Sequence, residues 1–222
     1  MRRAPQVTLA CLLATLTVPA HAAVIIQQSP SFVQPDEEVQ LDTDLVPGDN
    51  TLRGTTNQTD STVLFQSGSD NLASPPQGQA RIEPLDTDGL GQLTFSLENG
   101  GTFTSAEFNI LAAIAGPITI SAFTLQGDLI GSLTNPLNAL VGDSGQNFFG
   151  ILADQSTPIG SVSIAAKGAT QISSIGQFRL GGVTGPIPEP ATWAMMLISF
   201  GFLGAAMRRR KLPYASVRVR YA

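Results

Sequence analysis

Hydrophobic and polar residues alternate along several short segments of the chain between residues 61 and 183. Ile118, Ile120 and Ala122 alternate with Thr119 and Ser121, which is the pattern of a strand that buries one face. Short strands about ten residues apart predict an all-β fold, either a sandwich or a jelly roll. The segments that predict strands are 61–67, 91–97, 103–110, 117–125, 146–152, 159–166 and 177–183.

Turn-forming residues separate these segments. No helix is predicted between residues 23 and 183, because the apolar run 112–115 is short and ends at Gly116 and Pro117. The first third of the body is less regular, and we interpret it as part of the same sandwich with long loops. A separate small domain is the alternative. The turn signals are Asn99-Gly100-Gly101, Gly116-Pro117, Gln126-Gly127-Asp128, 142–145 and Thr157-Pro158.

The N-terminus has the three parts of a secretory signal peptide. Arg2 and Arg3 form a basic start, residues 7–18 form an apolar core, and the Ala-His-Ala sequence at 20–22 provides a cleavage position. The 12-residue apolar core is shorter than a membrane-spanning helix requires. We therefore expect an exported protein from which cleavage after Ala22, or one residue later after Ala23, removes the signal peptide.

The expected cleavage also removes two reactive side chains. Cys11 is the only cysteine and His21 the only histidine of the chain. Without them no disulfide forms, Ser-His-Asp and Cys-His catalysis lack a base, and zinc or haem sites built on these residues are excluded. We expect no cofactor, no metal site and no catalytic residue in the mature protein.

Charge is unevenly distributed along the chain. Residues 23–187 hold 16 acidic and four basic side chains, a formal charge of −12, whereas the whole chain has −5. Such an acidic body repels the phosphates of nucleic acids, so nucleic-acid binding is excluded.

Acidic loops are the candidates for a calcium site. An EF-hand loop that starts at Asp86, with Asp88 and Gly89 following, needs oxygen ligands where the chain has Leu90 and Leu97. The EF-hand is therefore excluded, although calcium bound by irregular loops stays an open alternative. The other acidic stretch comprises Asp36, Glu37, Glu38, Asp42 and Asp44.

The sequence offers little for either of two kinds of sugar site. A glycoside hydrolase needs two carboxylates that face one cleft, and nothing in the sequence brings Glu98 and Glu107 together. Sugar-binding sites stack rings on Trp or Tyr, and residues 23–187 contain neither. The nine phenylalanines of this region are expected in the core, chiefly Phe95, Phe108 and Phe123, while the adjacent pair Phe148 and Phe149 exposes at most one ring.

The C-terminal region joins a proline-rich breaker, an apolar run and a basic cluster. Residues 191–207 are uncharged and span about 26 Å as a helix, which is enough for a thin hydrocarbon core. Trp193 suits a membrane interface, and the basic residues after Met207 favour the cytoplasm. Proline lacks an amide donor and restricts the conformation of the preceding residue, so residues 188–190 are expected to stay extended. An extended backbone is the form that a protease binds.

These features resemble the PEP-CTERM sorting signal of Gram-negative bacteria, in its variant with Trp three residues after the second proline. The resemblance implies that an exosortase in the inner membrane cuts near the motif. The body then reaches the envelope surface or the extracellular space, often in bacteria that make exopolysaccharide. By this resemblance Pro188, Glu189, Pro190 and Trp193 are recognition residues, and Arg208, Arg209 and Arg210 form the stop.

A second resemblance concerns the body. The strings at 100–103, 117–125, 145–149 and 175–183 are similar to exported bacterial sandwich domains that often precede this tail. The implication is a sandwich that ends near Val183. The expected organisation is a signal peptide (1–22), a β-sandwich ectodomain (23–183), a linker with the motif (184–190), a transmembrane helix (191–207) and a basic cytoplasmic tail (208–222).

The expected function is that of a non-enzymatic protein, held at the inner membrane before delivery to the cell surface or matrix. One alternative is a carbohydrate- or exopolysaccharide-binding module. Another is an ice- or surface-adhesion protein. Regular Thr-x-Thr ladders would support that function, and the sequence has only scattered threonine pairs. A hydrolase that uses Glu98 and Glu107 is the third.

Overall fold

The computed structural model describes residues 24–29, 32–41, 49–75, 81–137, 147–185 and 190–209. The expected signal peptide and the tail beyond residue 209 lie outside these ranges. The described residues form thirteen strands, one 3-10 turn and one α-helix. They are β1 (Ile25–Gln28), β2 (Glu37–Leu41), β3 (Thr51–Thr56), β4 (Thr62–Gln66), β5 (Leu72–Ala73), β6 (Arg81–Pro84), β7 (Gln92–Leu97), the turn Glu98–Gly100, β8 (Ser105–Ile114), β9 (Gly116–Phe123), β10 (Leu129–Leu137), β11 (Phe148–Leu152), β12 (Ser161–Ala166), β13 (Gln171–Gly181) and α1 (Pro190–Arg209).

The strands form one continuous antiparallel sheet whose two halves fold over a common core. The first half has the order β1-β11-β8-β13, with β6 and β2 both beside β13. The second half has the order β2-β3-β4-β7-β12-β9-β10, so β2 joins the halves on one side. On the other side β1 approaches β10, where a Cβ built on Gly131 would lie 3.0 Å from the Cβ of Val24. The architecture is therefore mostly β, and barrel- or sandwich-like.

The core lies between the two halves and is centred on phenylalanine rings. Phe95 contacts four other rings, those of Phe65, Phe103, Phe108 and Phe178, at centroid distances of 5.6 to 6.2 Å. Each ring is contributed by an inward-facing position, and the neighbouring positions along the chain are polar except for Leu64 beside Phe65. Burial of large apolar rings is a main stabilising contribution in a domain without disulfides.

The predicted all-β class is confirmed, while the jelly-roll topology stays a prediction. All seven predicted segments overlap strands, but five short strands before residue 85 and the strand β10 were missed; the five are β1, β2, β3, β5 and β6. In β10, Gly131 and Pro136 break the expected pattern, and an edge strand tolerates proline. The predicted turn at Gly116 and Pro117 is wrong, because β9 begins at Gly116 with only Ala115 separating it from β8.

Two expectations about phenylalanines have different outcomes. Phe123 was expected in the core, but it is half-buried on the outward side of β9, because the inward positions there are Ile118, Ile120 and Ala122. Phe148 and Phe149 are adjacent on β11 and face opposite sides of the sheet, as expected for neighbours on a strand. Phe149 is buried and Phe148 is half-buried.

Helix α1 begins one residue before the predicted segment and ends two residues after it. Proline suits the first helical position, because its missing amide hydrogen would have no partner there. Arg208 belongs to the last turn, where the helix dipole favours positive charge. No helix in the described part of the chain has the length and apolar character that a membrane crossing requires. The transmembrane assignment of 191–207 stays a prediction.

Candidate sorting site

The chain leaves the β-structured body at a clamp between Thr102 and Thr184. Thr102 N donates to Thr184 O at 3.1 Å, and Thr184 N donates to Thr102 O at 2.8 Å. The two hydroxyl oxygens lie 2.6 Å apart. Next to the clamp, Phe103 forms the same pair of backbone hydrogen bonds with Ile159. The position of the exit is thus fixed by paired backbone groups.

The predicted recognition residues follow this clamp closely. Pro190 is the first residue of α1, and Trp193 lies about one turn further along the helix. Six residue steps separate Thr184 from Pro190, so the helix begins within about 20 Å of the clamp even if the linker is fully extended. Pro188, Glu189 and Arg210 lie outside the described residues, and Arg208 and Arg209 end the helix.

A polar cleft of about 270 Å³ lies beside the exit. The side chain of Glu98 in its wall forms an ion pair with Arg53, with Nε and Oε1 2.7 Å apart. Behind it, the carboxylate of Glu37 accepts hydrogen bonds from the amide and hydroxyl of Thr59 at 3.1 and 2.7 Å. The cleft wall is therefore held by polar contacts. Its lining residues are Thr59, Asp60, Ser61, Thr62, Leu97, Glu98, Asn99, Gly101, Thr184 and Gly185.

The structure does not bring Glu98 and Glu107 together. Glu98 pairs with Arg53 at the outward side of the second half of the sheet. Glu107 lies on β8 in the first half, at a position that alternates with the inward-facing Ala106 and Phe108. Packed sheets are about 10 Å apart, so carboxylates outside opposite layers are further apart than a glycosidase needs. The described residues give no positive sign of catalysis.

The acidic loops do not form a metal site among the described residues. No group of three or more acidic, histidine or cysteine side chains there is close enough to hold an ion. Asp86 accepts a hydrogen bond from the amide of Asp88 at 3.3 Å, as in an ordinary turn. Glu38 pairs with Arg179 at 2.6 Å, and Asp42 and Asp44 lie outside the described ranges.

The outward side of the second half of the sheet carries rows of hydroxyl groups. We call this surface the hydroxyl face. Hydroxyl oxygens of neighbouring strands are 3.1 Å apart in the pair Ser121 and Ser132 and in the pair Thr119 and Thr134. The longest row crosses six strands in register and is uncharged: Ser132, Ser121, Ser163, Thr94, Gln66 and Thr51.

Sequence reasoning missed this face because its order runs across strands. Ser121, Ser163 and Thr94 are neighbours in space but far apart along the chain. The available signal was that the outward positions of several predicted strands are serine or threonine, as at Ser161 and Ser163. Without the strand order, these positions cannot be assembled into rows.

The segment after the clamp combines a proline at the helix start, a helix rich in apolar residues and a basic end. Residues 186–211 match the PEP-CTERM protein-sorting motif. A PEP-CTERM signal implies an exported protein that passes through the inner membrane and has an exosortase as its processing partner. The match includes the recognition and stop residues predicted from the sequence, while the variant with the spaced Trp193 stays a prediction.

The body was also compared with known proteins. No curated protein matches the chain. A family 29 carbohydrate-binding module is similar over 72% of this chain and 98% of its own, with 14% identity and a TM-score of 0.36. A family 11 module of a cellulase from Clostridium thermocellum is similar over 68% of this chain and 96% of its own, with 15% identity and a TM-score of 0.27. At such TM-scores these likenesses carry no functional inference, so the function is argued from this chain's residues.

Proposed function

We propose that an exosortase cuts this protein near Pro188, Glu189 and Pro190 and delivers its body to the cell surface or extracellular matrix. The observation that carries this proposal is the position of the PEP-CTERM match, residues 186–211, directly after the clamp at Thr184. A cut there leaves the core intact, because the buried apolar side chains of the described region lie between Val39 and Leu180.

The helix supplies the reason for holding the precursor at the inner membrane. Eight large apolar side chains of α1, from Met195 to Met207, are between 53% and 74% exposed. Such a surface is unfavourable in water and favours a lipid or protein environment. In this proposal Trp193 contributes to recognition, and Arg208, Arg209 and Arg210 form the stop.

Replacing Pro188, Glu189 and Pro190 together by alanine tests the proposal in the native host. We expect the precursor to keep its full size and to stay with the inner membrane, as measured by immunoblot and mass spectrometry of the fractions. Pro186→Ala is the matched control, since it removes a linker proline but keeps the tripeptide, and it should be processed normally. Equal processing of the triple variant and the wild type would contradict the proposal.

The hydroxyl face favours a second function for the delivered body, contact with a neutral polysaccharide. Its long row offers only hydroxyl and amide groups, which both donate and accept hydrogen bonds as sugar hydroxyls do. A neutral glycan avoids the repulsion that the acidic body exerts on anionic polymers. Serine lacks the apolar methyl of threonine, so three serines in the row favour a hydrated polymer over the ice surface of the adhesion alternative.

A pull-down with the host's exopolysaccharide tests this second function on the processed protein. Ser163→Glu places a charge in the middle of the row and should reduce retention at least severalfold. Ser173→Glu is the control, because Ser173 is exposed on β13 in the other half of the sheet. Equal retention of both variants and the wild type would remove the hydroxyl face from the interaction.

A further inference from the structure

Four large apolar side chains are exposed around the end of the body from which the chain exits. Ile25, Leu125, Leu129 and Leu152 are 49%, 47%, 60% and 41% exposed. We call these four residues the apolar rim. Isolated apolar side chains are normal on protein surfaces, whereas a group at one end indicates a contact surface.

Strand register places the rim next to the exit. Ile25 pairs with Leu152 across β1 and β11, and Leu152 pairs with Ser105 at the start of β8. Ser105 pairs in turn with Gly181, the last residue of β13. Thr184 and its clamp follow three residues later. Ile25 and Leu152 are therefore in register with Gly181, where the last strand of the body ends.

The other two rim residues extend the same end across the second half of the sheet. Leu129 pairs with Phe123, where β9 ends and β10 begins. Leu125 packs closely over Gly160, since a Cβ built on that glycine would lie 2.7 Å from the Cα of Leu125. The contact of Val24 with Gly131 brings the start of β1 beside β10, so the two pairs of rim residues lie on the same side of the body.

The short linker determines what this end faces. Helix α1 begins within about 20 Å of the clamp, so the end that carries the rim stays next to whatever binds the helix. Among the described residues of the body, the remaining exposed large apolar side chains are Leu85 and Ile114. Leu85 follows β6 and Ile114 ends β8, so both lie at the opposite end of the body from the rim.

We propose that the apolar rim rests on the outer surface of the inner membrane while the PEP-CTERM segment is engaged there. This inference rests on the proposed function. Exposed leucine and isoleucine side chains bind shallowly in the headgroup region, where they lose contact with water. Asp128 directly precedes Leu129, and Asp154 lies two residues after Leu152. Both carboxylates repel anionic headgroups, so the contact favours zwitterionic lipid. The contact orients the body, which presents the same end to the enzyme in every precursor.

A site-specific lipid-quenching experiment on the full-length precursor tests this contact. Cys11 is the only cysteine, so a Cys11→Ser background accepts single cysteines as labelling sites. Leu125→Cys probes the rim, and Ile114→Cys is the matched control, because the native residues are 47% and 45% exposed at opposite ends. The labelled precursors are bound to phosphatidylcholine nanodiscs that contain a headgroup-level spin label.

We expect fluorescence quenching at residue 125 to be at least twice that at residue 114, and to fall when half the lipid is phosphatidylglycerol. A Leu129→Cys probe should agree with Leu125→Cys. Equal quenching at both ends in nanodisc-bound precursor would overturn the rim contact and leave the sorting function intact. A rim probe that is shielded from water but not quenched would show that the rim binds a second protein, and this result would also overturn the proposed contact with lipid. A precursor that does not bind nanodiscs would overturn both proposals.

Discussion

Thr102 and Thr184 form a two-way backbone pair, reinforced by hydroxyl oxygens 2.6 Å apart, just before the linker to the sorting segment. This pair separates a folded domain from the segment that the sorting machinery reads. An exosortase that acts near 188–190 meets the body within a few residues of its substrate bond. The clamp therefore lies between the core and the expected cleavage region.

Loosening the clamp should lengthen the accessible linker at a small cost in stability. Thr184→Pro removes the amide that donates to Thr102 at 2.8 Å, and we expect a loss of about 1 kcal/mol in unfolding free energy. Hydrogen exchange at Thr102 and its neighbours should become faster. Thr184→Val keeps both backbone bonds and is the control. Unchanged exchange in Thr184→Pro would show that the clamp does not hold the exit.

Removing an inward-facing phenylalanine ring should destabilise the body more than removing an outward-facing one. Phe95→Ala removes the ring that contacts four others and should lower the unfolding free energy by about 3–5 kcal/mol. Phe123→Ala removes a half-buried ring on the outward side and should cost about 1 kcal/mol or less. Urea denaturation of the two variants checks the difference. Similar losses would contradict the placement of Phe123 outside the core.

The body should not depend on a bound metal ion for its stability. No metal-binding group of acidic side chains occurs within the described ranges. The carboxylate of Glu37 accepts a hydrogen bond from Thr59, and that of Glu38 forms an ion pair with Arg179. We expect the melting temperature to change by less than about 2 °C on chelation, as measured by calorimetry with and without EDTA. A drop well beyond this value would restore the calcium alternative.

The sequence predicts strands well where the pattern is local and misses what depends on pairing. In β12 the alternation of Val162 and Ile164 with serines determines both the strand and its buried face. The edge strand β10 is missed because its identity depends on pairing with β9, which overrides Gly131 and Pro136. The hydroxyl face and the rim likewise depend on strand order. The sorting segment was predicted, because its residues are contiguous in the chain.

The environment of Glu107 makes the stability of the body depend on pH. Its Oε2 atom is buried and has no hydrogen-bond partner among the residues that the structure describes. The neighbouring position across β11 is Gly150, and a Cβ there would lie 2.9 Å from Cδ1 of Phe32, so the segment before β2 covers this side of the sheet. Burial raises the pKa of Glu107 above its ordinary value of 4.5, and the nearby Arg179 guanidinium opposes the shift.

The raised pKa of Glu107 means that the folded state holds this proton to a higher pH than the unfolded state does. Its contribution to stability is present below about pH 4.5 and is lost as the pH rises through the folded-state pKa. Glu107→Gln keeps the shape without the charge, so its stability relative to the wild type should increase between about pH 4 and about pH 7, as measured by urea unfolding. Glu98→Gln is the control, since it removes a surface ion pair worth at most about 1 kcal/mol and should bring no gain at neutral pH. A Glu107→Gln variant whose relative stability is the same at both pH values would show that Glu107 is ionised equally easily in the folded and unfolded chain.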